Sequence, residues 1–108
     1  MYKKERKREE EKNVIDYNFD LDSHTKLHIM GDCLYDYFNK KKEERSIKIT
    51  EALNRYRDDR YFFIIEDMYG DNRLSLRECA KKSYYDDSTI KIHRKRLLLD
   101  LYKDLFER

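Results

Sequence analysis

The chain has 108 residues, of which 44% are charged and 39% hydrophobic, with two glycines and no proline. This is the length of one small domain, alone or with an appended arm, and the shortage of glycine and proline favours helices over strands and turns. The net charge of +2 does not by itself indicate a nucleic-acid-binding protein.

Compartment and membrane association can be judged from the cysteines and the apolar runs. Cys33 and Cys79 form no CxxC pair, which is typical of reduced thiols in a cytoplasmic protein. No stretch approaches the roughly 18 apolar residues of a membrane span, so no membrane partner is expected.

Residues 1–22 are predicted to form a charged N-terminal arm. Residues 3–12 have the sequence KKERKREEEK, which fits either a solvated helix with opposite charges at helical spacing or a disordered arm. Glu9, Glu10 and Glu11 cancel much of the basic charge, which argues against a nucleic-acid-binding tail.

Residues 23–70 are predicted to form N-terminal helices with an oligomerisation role. Two apolar stripes recur at the spacing of amphipathic helices and are separated by the polar segment NKKKEER. The first stripe is Leu27, Met30, Leu34 and Phe38, and the second is Ile49, Ala52, Leu53 and Tyr56. The aromatic residues Tyr35, Tyr37 and Phe38 are the expected surface of a homodimer.

The segment DDRYFFIIEDMYGDN, residues 58–72, contains a dense apolar run. Such a run fits a buried strand as well as a helix. We favour a helix with Tyr61, Ile64, Ile65 and Met68 on one face, because no partner strand is evident elsewhere. Gly70 and the Asp–Asn pair after it predict a helix end and a turn.

Residues 71–108 are predicted to contain a helix-turn-helix. Ser75 and Glu78 have the spacing of a capping box, which opens the short helix LRECAKKS. A long helix is expected from about residue 88 to residue 107. Its inward residues are expected to be Ile90, Leu97, Leu101 and either Leu105 or Phe106. The alternative is an ordinary helical hairpin with the same core.

The turn between these helices carries specific expectations. Ala80 is the small residue needed where two helices cross, and Ile90 is the apolar residue that the second helix needs. Many such motifs have glycine at the position of Tyr84, because the chain is left-handed there. A tyrosine therefore predicts a variant, sigma-factor-like turn.

Acidic and aromatic residues surround the start of the second helix. Asp86 and Asp87 are expected to stabilise it, with Asp87 or Ser88 as the N-cap. One of Tyr84 and Tyr85 is expected to pack the turn against the helices, and the other to reach a phosphate.

Basic residues concentrate on the second helix, since residues 71–108 contain 10 Lys and Arg against 7 Asp and Glu. Residues near the helix start are expected to enter a major groove: Ser88, Thr89, Lys91, Ile92 and Lys95. Four others, with the Tyr85 hydroxyl, are expected at phosphates: Lys81, Lys82, Arg94 and Arg96. The alternative is a solvated basic face.

Residues 61–108 resemble the C-terminal part of small phage late-gene regulators of the ArpU/RinA type, which is itself similar to region 4 of sigma factors. The similar elements are the helix ending in MYGDN, LSLRECAKK, the YYDDSTI turn and the basic helix ending in leucines. The resemblance implies a transcriptional regulator of a phage or phage-derived mobile element that binds double-stranded promoter DNA. It covers less than half of the chain.

Other chemistry is weakly represented. His24, His28 and Asp32 are spaced by four on one helical face, but surface histidines are favoured over a metal site because no second pair of ligands is clustered with them. The sequence has no phosphate-binding glycine loop or nucleophile motif, so we expect no enzyme and no cofactor.

The rival hypothesis is a small interaction protein that binds another transcription regulator or RNA polymerase. Ten tyrosines and the near-neutral net charge suit such a role. It does not require Lys91, Arg94, Lys95 and Arg96 together. Either protein is expected in the bacterial cytoplasm, at the nucleoid if it binds DNA.

Overall fold

The computed structural model describes residues 22–107. This part of the chain contains five α-helices and no strand. The helices are α1 (Ser23–Asn39), α2 (Ile47–Arg55), α3 (Phe63–Tyr69), α4 (Leu76–Ser83) and α5 (Asp87–Phe106), with a 3-10 turn at Lys42–Glu44. The all-α prediction is confirmed. The run RYFFII lies in a turn and in α3 and not in a strand. No helix in this range is long and apolar enough to span a membrane.

The predicted charged arm lies outside the described residues, apart from its last residue. Asp22 is the N-cap of α1, where its carboxylate accepts a hydrogen bond of 2.8 Å from the backbone N–H of Thr25. This bond stabilises the helix start and holds the pKa of Asp22 below its usual value.

Helix α5 is the centre of the fold, and it packs against the other four helices. Its buried apolar residues follow the helical repeat, with two turns between the first and the second, and form one stripe: Ile90, Leu97, Leu98, Leu101, Tyr102 and Leu105. At its end Leu105 faces inward, whereas Phe106 is 53% exposed. All five helices therefore share one hydrophobic core.

Helix α2 is attached to the end of α5 by polar contacts as well as by Ala52 and Leu53 in the core. The Tyr56 hydroxyl donates a hydrogen bond of 2.7 Å to Asp104, and burial with this contact raises the pKa of Tyr56 to about 12. Lys48 Nζ donates to the Leu105 carbonyl at 2.9 Å. The last turn of α5 is thus held in place.

The aromatic residues of α1 do not form the surface that we expected for a homodimer. Tyr37 is buried, and its hydroxyl lies 2.6 Å from the Thr50 hydroxyl. Phe38 is partly buried against the core, and Tyr35 packs on Tyr69 with ring centroids 4.7 Å apart. The three residues therefore do not form one exposed surface: Tyr35 stays 39% exposed, whereas Tyr37 is buried, because a tyrosine with a polar partner can serve as a core residue.

Gly70 ends α3, as predicted, but the glycine is needed for a close backbone contact and not for a left-handed conformation. Its backbone is not left-handed, and a Cβ there would lie 2.4 Å from the carbonyl oxygen of Glu66. The left-handed residue of this turn is Arg73, with φ of 48°. Glycine is therefore required for close approach of the chain to itself.

The starts of α4 and α5 are both capped by side chains. The capping box is confirmed, since Glu78 N–H donates to Ser75 Oγ at 3.1 Å and Ser75 N–H donates to Glu78 Oε1 at 2.8 Å. The N-cap of α5 is Asp86, whose carboxylate accepts from Thr89 N–H at 2.7 Å. The expectation of Asp87 or Ser88 is wrong because the helix begins earlier than predicted.

Candidate nucleic-acid interface

Helices α4 and α5 are joined by three residues and pack against each other through buried small and apolar side chains. Ala80 is 2% exposed and Ile90 is fully buried. Tyr84 has φ of 66° and ψ of 17°, a left-handed conformation. Tyr84 itself therefore does not depart from the left-handed conformation of the usual turn, and the likeness to a sigma-factor turn stays a prediction. The backbone adopts here the conformation for which glycine is usual.

The two tyrosines of the turn have different roles. Tyr85 is partly buried, its ring lies 5.3 Å from that of Tyr61 and 6.0 Å from that of Phe63, and its hydroxyl accepts from Arg60 Nε at 3.2 Å. Tyr85 therefore packs the turn, and its expected placement at a phosphate is not supported. Tyr84 is 96% exposed and is the tyrosine available to a partner.

The residues predicted to enter a major groove lie together at the start of α5. Ser88, Lys91, Ile92 and Lys95 are all exposed and follow the three- and four-residue spacing that places side chains on one helical face. Ile92 is 62% exposed, unusual for a residue of its size, and Thr89 is partly buried beside this face. We call Ser88, Lys91, Ile92 and Lys95 the outer face of α5.

Arg94 lies on the inner side of α5 and not at the flank where we expected it. It is four residues after Ile90 and three before Leu97, both fully buried. Arg94 Nη1 donates to the Tyr69 hydroxyl at 3.1 Å. Burial is the main reason why the pKa of Tyr69 is raised, so the hydroxyl is protonated near neutral pH.

Arg96 forms an ion pair with Asp59, although its side chain stays 37% exposed. Its Nη1 and Nη2 donate to the two carboxylate oxygens of Asp59 at 3.0 and 3.1 Å, and its Nε donates to His93 Nδ1 at 3.2 Å. The His93 ring stacks on Tyr61, with centroids 3.6 Å apart. The expectation of a solvated Arg96 is wrong, because its partner is distant in sequence.

The basic residues of α4 remain accessible. Lys81 is exposed, and Lys82 pairs with Asp67 at 2.9 Å while its side chain stays 56% exposed. The sequence analysis missed Arg77, whose side chain is 81% exposed and lies 3.7 Å from Asp87 across the turn. Arg77 could have been found from the sequence, because it is a basic residue in the first turn of the helix that Ser75 was predicted to cap.

The histidines of α1 were considered above as metal ligands. His28 Nε2 lies 3.8 Å from Asp32 Oδ2, and both side chains are largely exposed. Within residues 22–107 no three His, Cys, Asp or Glu side chains are grouped so as to hold a metal ion.

Comparisons of this chain with models of protein families, with curated proteins and with solved structures find no match.

Proposed function

We propose that this protein is a sequence-specific DNA-binding transcriptional regulator encoded by a phage or a phage-derived element, and that the outer face of α5 contacts the major groove. The observation that carries the proposal is the grouping of Lys91, Ile92 and Lys95 on an exposed helical face directly after a three-residue turn. Lysine side chains can donate to guanine edges, and an isoleucine can contact a thymine methyl group.

The exposed residues of α4 and the turn supply the remaining contacts. Lys81, Lys82 and Arg77 are accessible to phosphates on the α4 side, and Tyr84 adds an exposed aromatic hydroxyl. Phosphate contacts of this kind fix the orientation of a protein on DNA without reading bases. Arg94 and Arg96 are left out of the proposed interface, because Arg94 is already hydrogen-bonded to Tyr69 and Arg96 to Asp59.

The number of cationic contacts also bears on assembly. One helix-turn-helix with four or five such contacts rarely binds a specific site tightly. The regulator therefore acts as a homodimer or together with RNA polymerase on promoter DNA in the cytoplasm. A dimer surface can include Tyr35, which is 39% exposed, but not the buried Tyr37.

The test separates base reading from phosphate binding. Lys91→Ala should weaken binding to the true promoter site by about 1–3 kcal/mol and affect random DNA less. Lys81→Ala should weaken both nearly equally and reduce the slope of log K against log salt by about one. Lys103→Ala, at the exposed far end of the same helix, is the matched control and should change neither.

Gel shifts with the promoter fragments of the element that encodes the protein, repeated at several salt concentrations, measure these effects. The proposal fails if a folded protein with Lys81, Lys91 and Lys95 all replaced by alanine keeps its regulatory effect.

The second candidate is a protein-interaction module, and the exposure of Tyr84 and Ile92 favours it. Large exposed apolar side chains mark protein interfaces as well as DNA-binding ones. Binding of purified host RNA polymerase without DNA would then be lost in Tyr84→Ala and Ile92→Ala but retained in Lys91→Ala. The DNA-binding proposal instead expects Lys91→Ala to weaken binding in gel shifts, so the effect of Lys91→Ala separates the two candidates.

A further inference from the structure

A cleft of about 300 Å³ lies between α1, the end of α3 and the middle of α5. Arg94 of α5 and Tyr69 of α3 form one wall, and Gly31 with the two histidines of α1 forms the other. Arg94 lies on the inner side of α5, whereas Ile92 belongs to the outer face. The cleft is therefore separate from the proposed DNA interface.

The guanidinium of Arg94 is incompletely paired. Nη1 donates to Tyr69, whereas Nε is buried and has no hydrogen-bond partner among residues 22–107. It is the one buried side-chain polar atom in that range without a partner. Leaving a buried donor of a charged group unpaired is costly. Arg94 also lines the cleft, and a guanidinium can bind an oxyanion through two parallel N–H groups.

Further donors converge on the same space. Because the Tyr69 oxygen accepts from Arg94, its own proton is available to a second acceptor. His24 and His28 line the opposite side and can donate through ring N–H groups. Asp32 is the one carboxylate of the lining, and it favours a ligand that also carries a hydroxyl or amino donor.

We propose that this cleft binds the phosphate group of a small hydroxyl-bearing phosphate ester, with Arg94, Tyr69 and the two histidines as its donors. A guanidinium and two imidazoles together suit a doubly charged phosphate group better than they suit a ligand with a single carboxylate. The volume exceeds that of a phosphate ion alone, which leaves room for the organic part beside Leu27 and Tyr35. This inference does not depend on the proposed DNA binding.

The experiment is a titration of the full-length protein followed by NMR of the arginine side-chain Nε–H signals. Ribose 5-phosphate should shift the Arg94 signal saturably, inorganic phosphate should do so more weakly, and ribose should have no effect. Sodium chloride at matched ionic strength is the control for screening. The melting temperature should rise with ribose 5-phosphate concentration, since a ligand that binds only the folded state stabilises it.

Two variants locate the site. Arg94→Lys keeps the charge but loses the fork, and should weaken binding by a factor of about ten or more. Gly31→Ala adds a Cβ that would lie 3.6 Å from Tyr69 Cε1 and 3.7 Å from its hydroxyl oxygen, which are ordinary contacts. This variant should fold at least as stably as the original and bind the ester more weakly. Lys95→Gln, on the outer face, should leave ester binding unchanged.

Three results would overturn the inference. The first is an Arg94 signal that responds to chloride as strongly as to ribose 5-phosphate. The second is unchanged affinity in Gly31→Ala and Arg94→Lys. The third is a shift caused by duplex DNA when the small esters cause none, which would make Arg94 a contact to the DNA backbone.

Discussion

Tyr84 combines an unfavourable backbone with a side chain that has almost no contact with the protein. Left-handed conformation is costly for residues with a Cβ, by roughly 1–2 kcal/mol. Strain of this kind persists where it serves a function, since the surrounding structure must enforce it. With 96% of its surface exposed, Tyr84 is better explained by a partner than by the stability of the turn.

We expect Tyr84→Gly to raise the free energy of unfolding by about 0.5–1 kcal/mol, because glycine adopts the left-handed conformation without steric strain. Urea denaturation measures the change. Tyr84→Ala retains the Cβ and should give no such gain. Gel shifts should show weaker DNA binding for both variants. Stability then rises only in Tyr84→Gly, whereas DNA binding falls in both, so the two effects are independent. Equal stability of the glycine and alanine variants would contradict this account.

The reciprocal cap of α4 is a second effect of single residues. Ser75→Ala removes one of its two hydrogen bonds and should lower the free energy of unfolding by about 1 kcal/mol. The matched control is Ser88→Ala in the first turn of α5, where Asp86 already provides the cap. An unchanged urea midpoint in Ser75→Ala would show that this cap does not contribute to stability.

At the scale of elements, the ion pair between Asp59 and Arg96 connects the turn before α3 to the middle of α5. Its two hydrogen bonds hold the pKa of Asp59 below its usual value of 3.8. Because the folded-state pKa is lower than that of the unfolded chain, the contribution to stability is present above the unfolded value. It is lost as the pH falls through the folded value.

Arg96→Ala should therefore destabilise the protein by about 1–2 kcal/mol at neutral pH, since a charged hydrogen-bonded pair that is partly exposed is broken. The free energy of unfolding of this variant should also fall less on acidification than that of the original protein, because protonation of Asp59 no longer breaks an ion pair. Denaturation at a series of pH values measures both effects. Arg77→Ala, whose pair with Asp87 is largely exposed, is the control with little expected change. Parallel acid profiles for Arg96→Ala and the original protein would exclude this role.

The helices were predictable from the sequence because their signals are local. Apolar spacing indicated the buried faces of all five helices, and Ser75 with Glu78 indicated the start of α4. The placement of Arg94 and Arg96 was not predictable, because an arginine in a basic run is normally solvated and the partners Tyr69 and Asp59 are 25 and 37 residues away. The same holds for Tyr85, whose packing depends on Tyr61 in the turn before α3 and on Phe63 at the start of α3.

At the scale of the whole molecule, the shared core means that α4 and α5 depend on the N-terminal helices. Leu97, Leu98 and Leu101 of α5 are fully buried, and α1 is the helix with the most extensive contact to α5. A fragment of residues 71–108 would expose these leucines to water. Its two helices could not bury them against each other alone.

We therefore expect the fragment of residues 71–108 to show no cooperative thermal unfolding, with at most partial helix in α5. Circular dichroism of the fragment and of the full chain makes the comparison. A cooperative transition in the fragment alone would show that residues 71–108 form an independent domain.

Cys79 gives α4 a chemical reporter of its own motion. The thiol is fully buried, and burial raises its pKa to about 11. A maleimide or disulfide reagent can therefore modify it only while α4 is detached from the core, so the labelling rate follows the frequency of local opening. Partly buried Cys33, on α1, provides an internal comparison within the same molecule. Promoter DNA that holds α4 and α5 together should slow the modification of Cys79 more than that of Cys33, and this would detect occupancy without altering any residue.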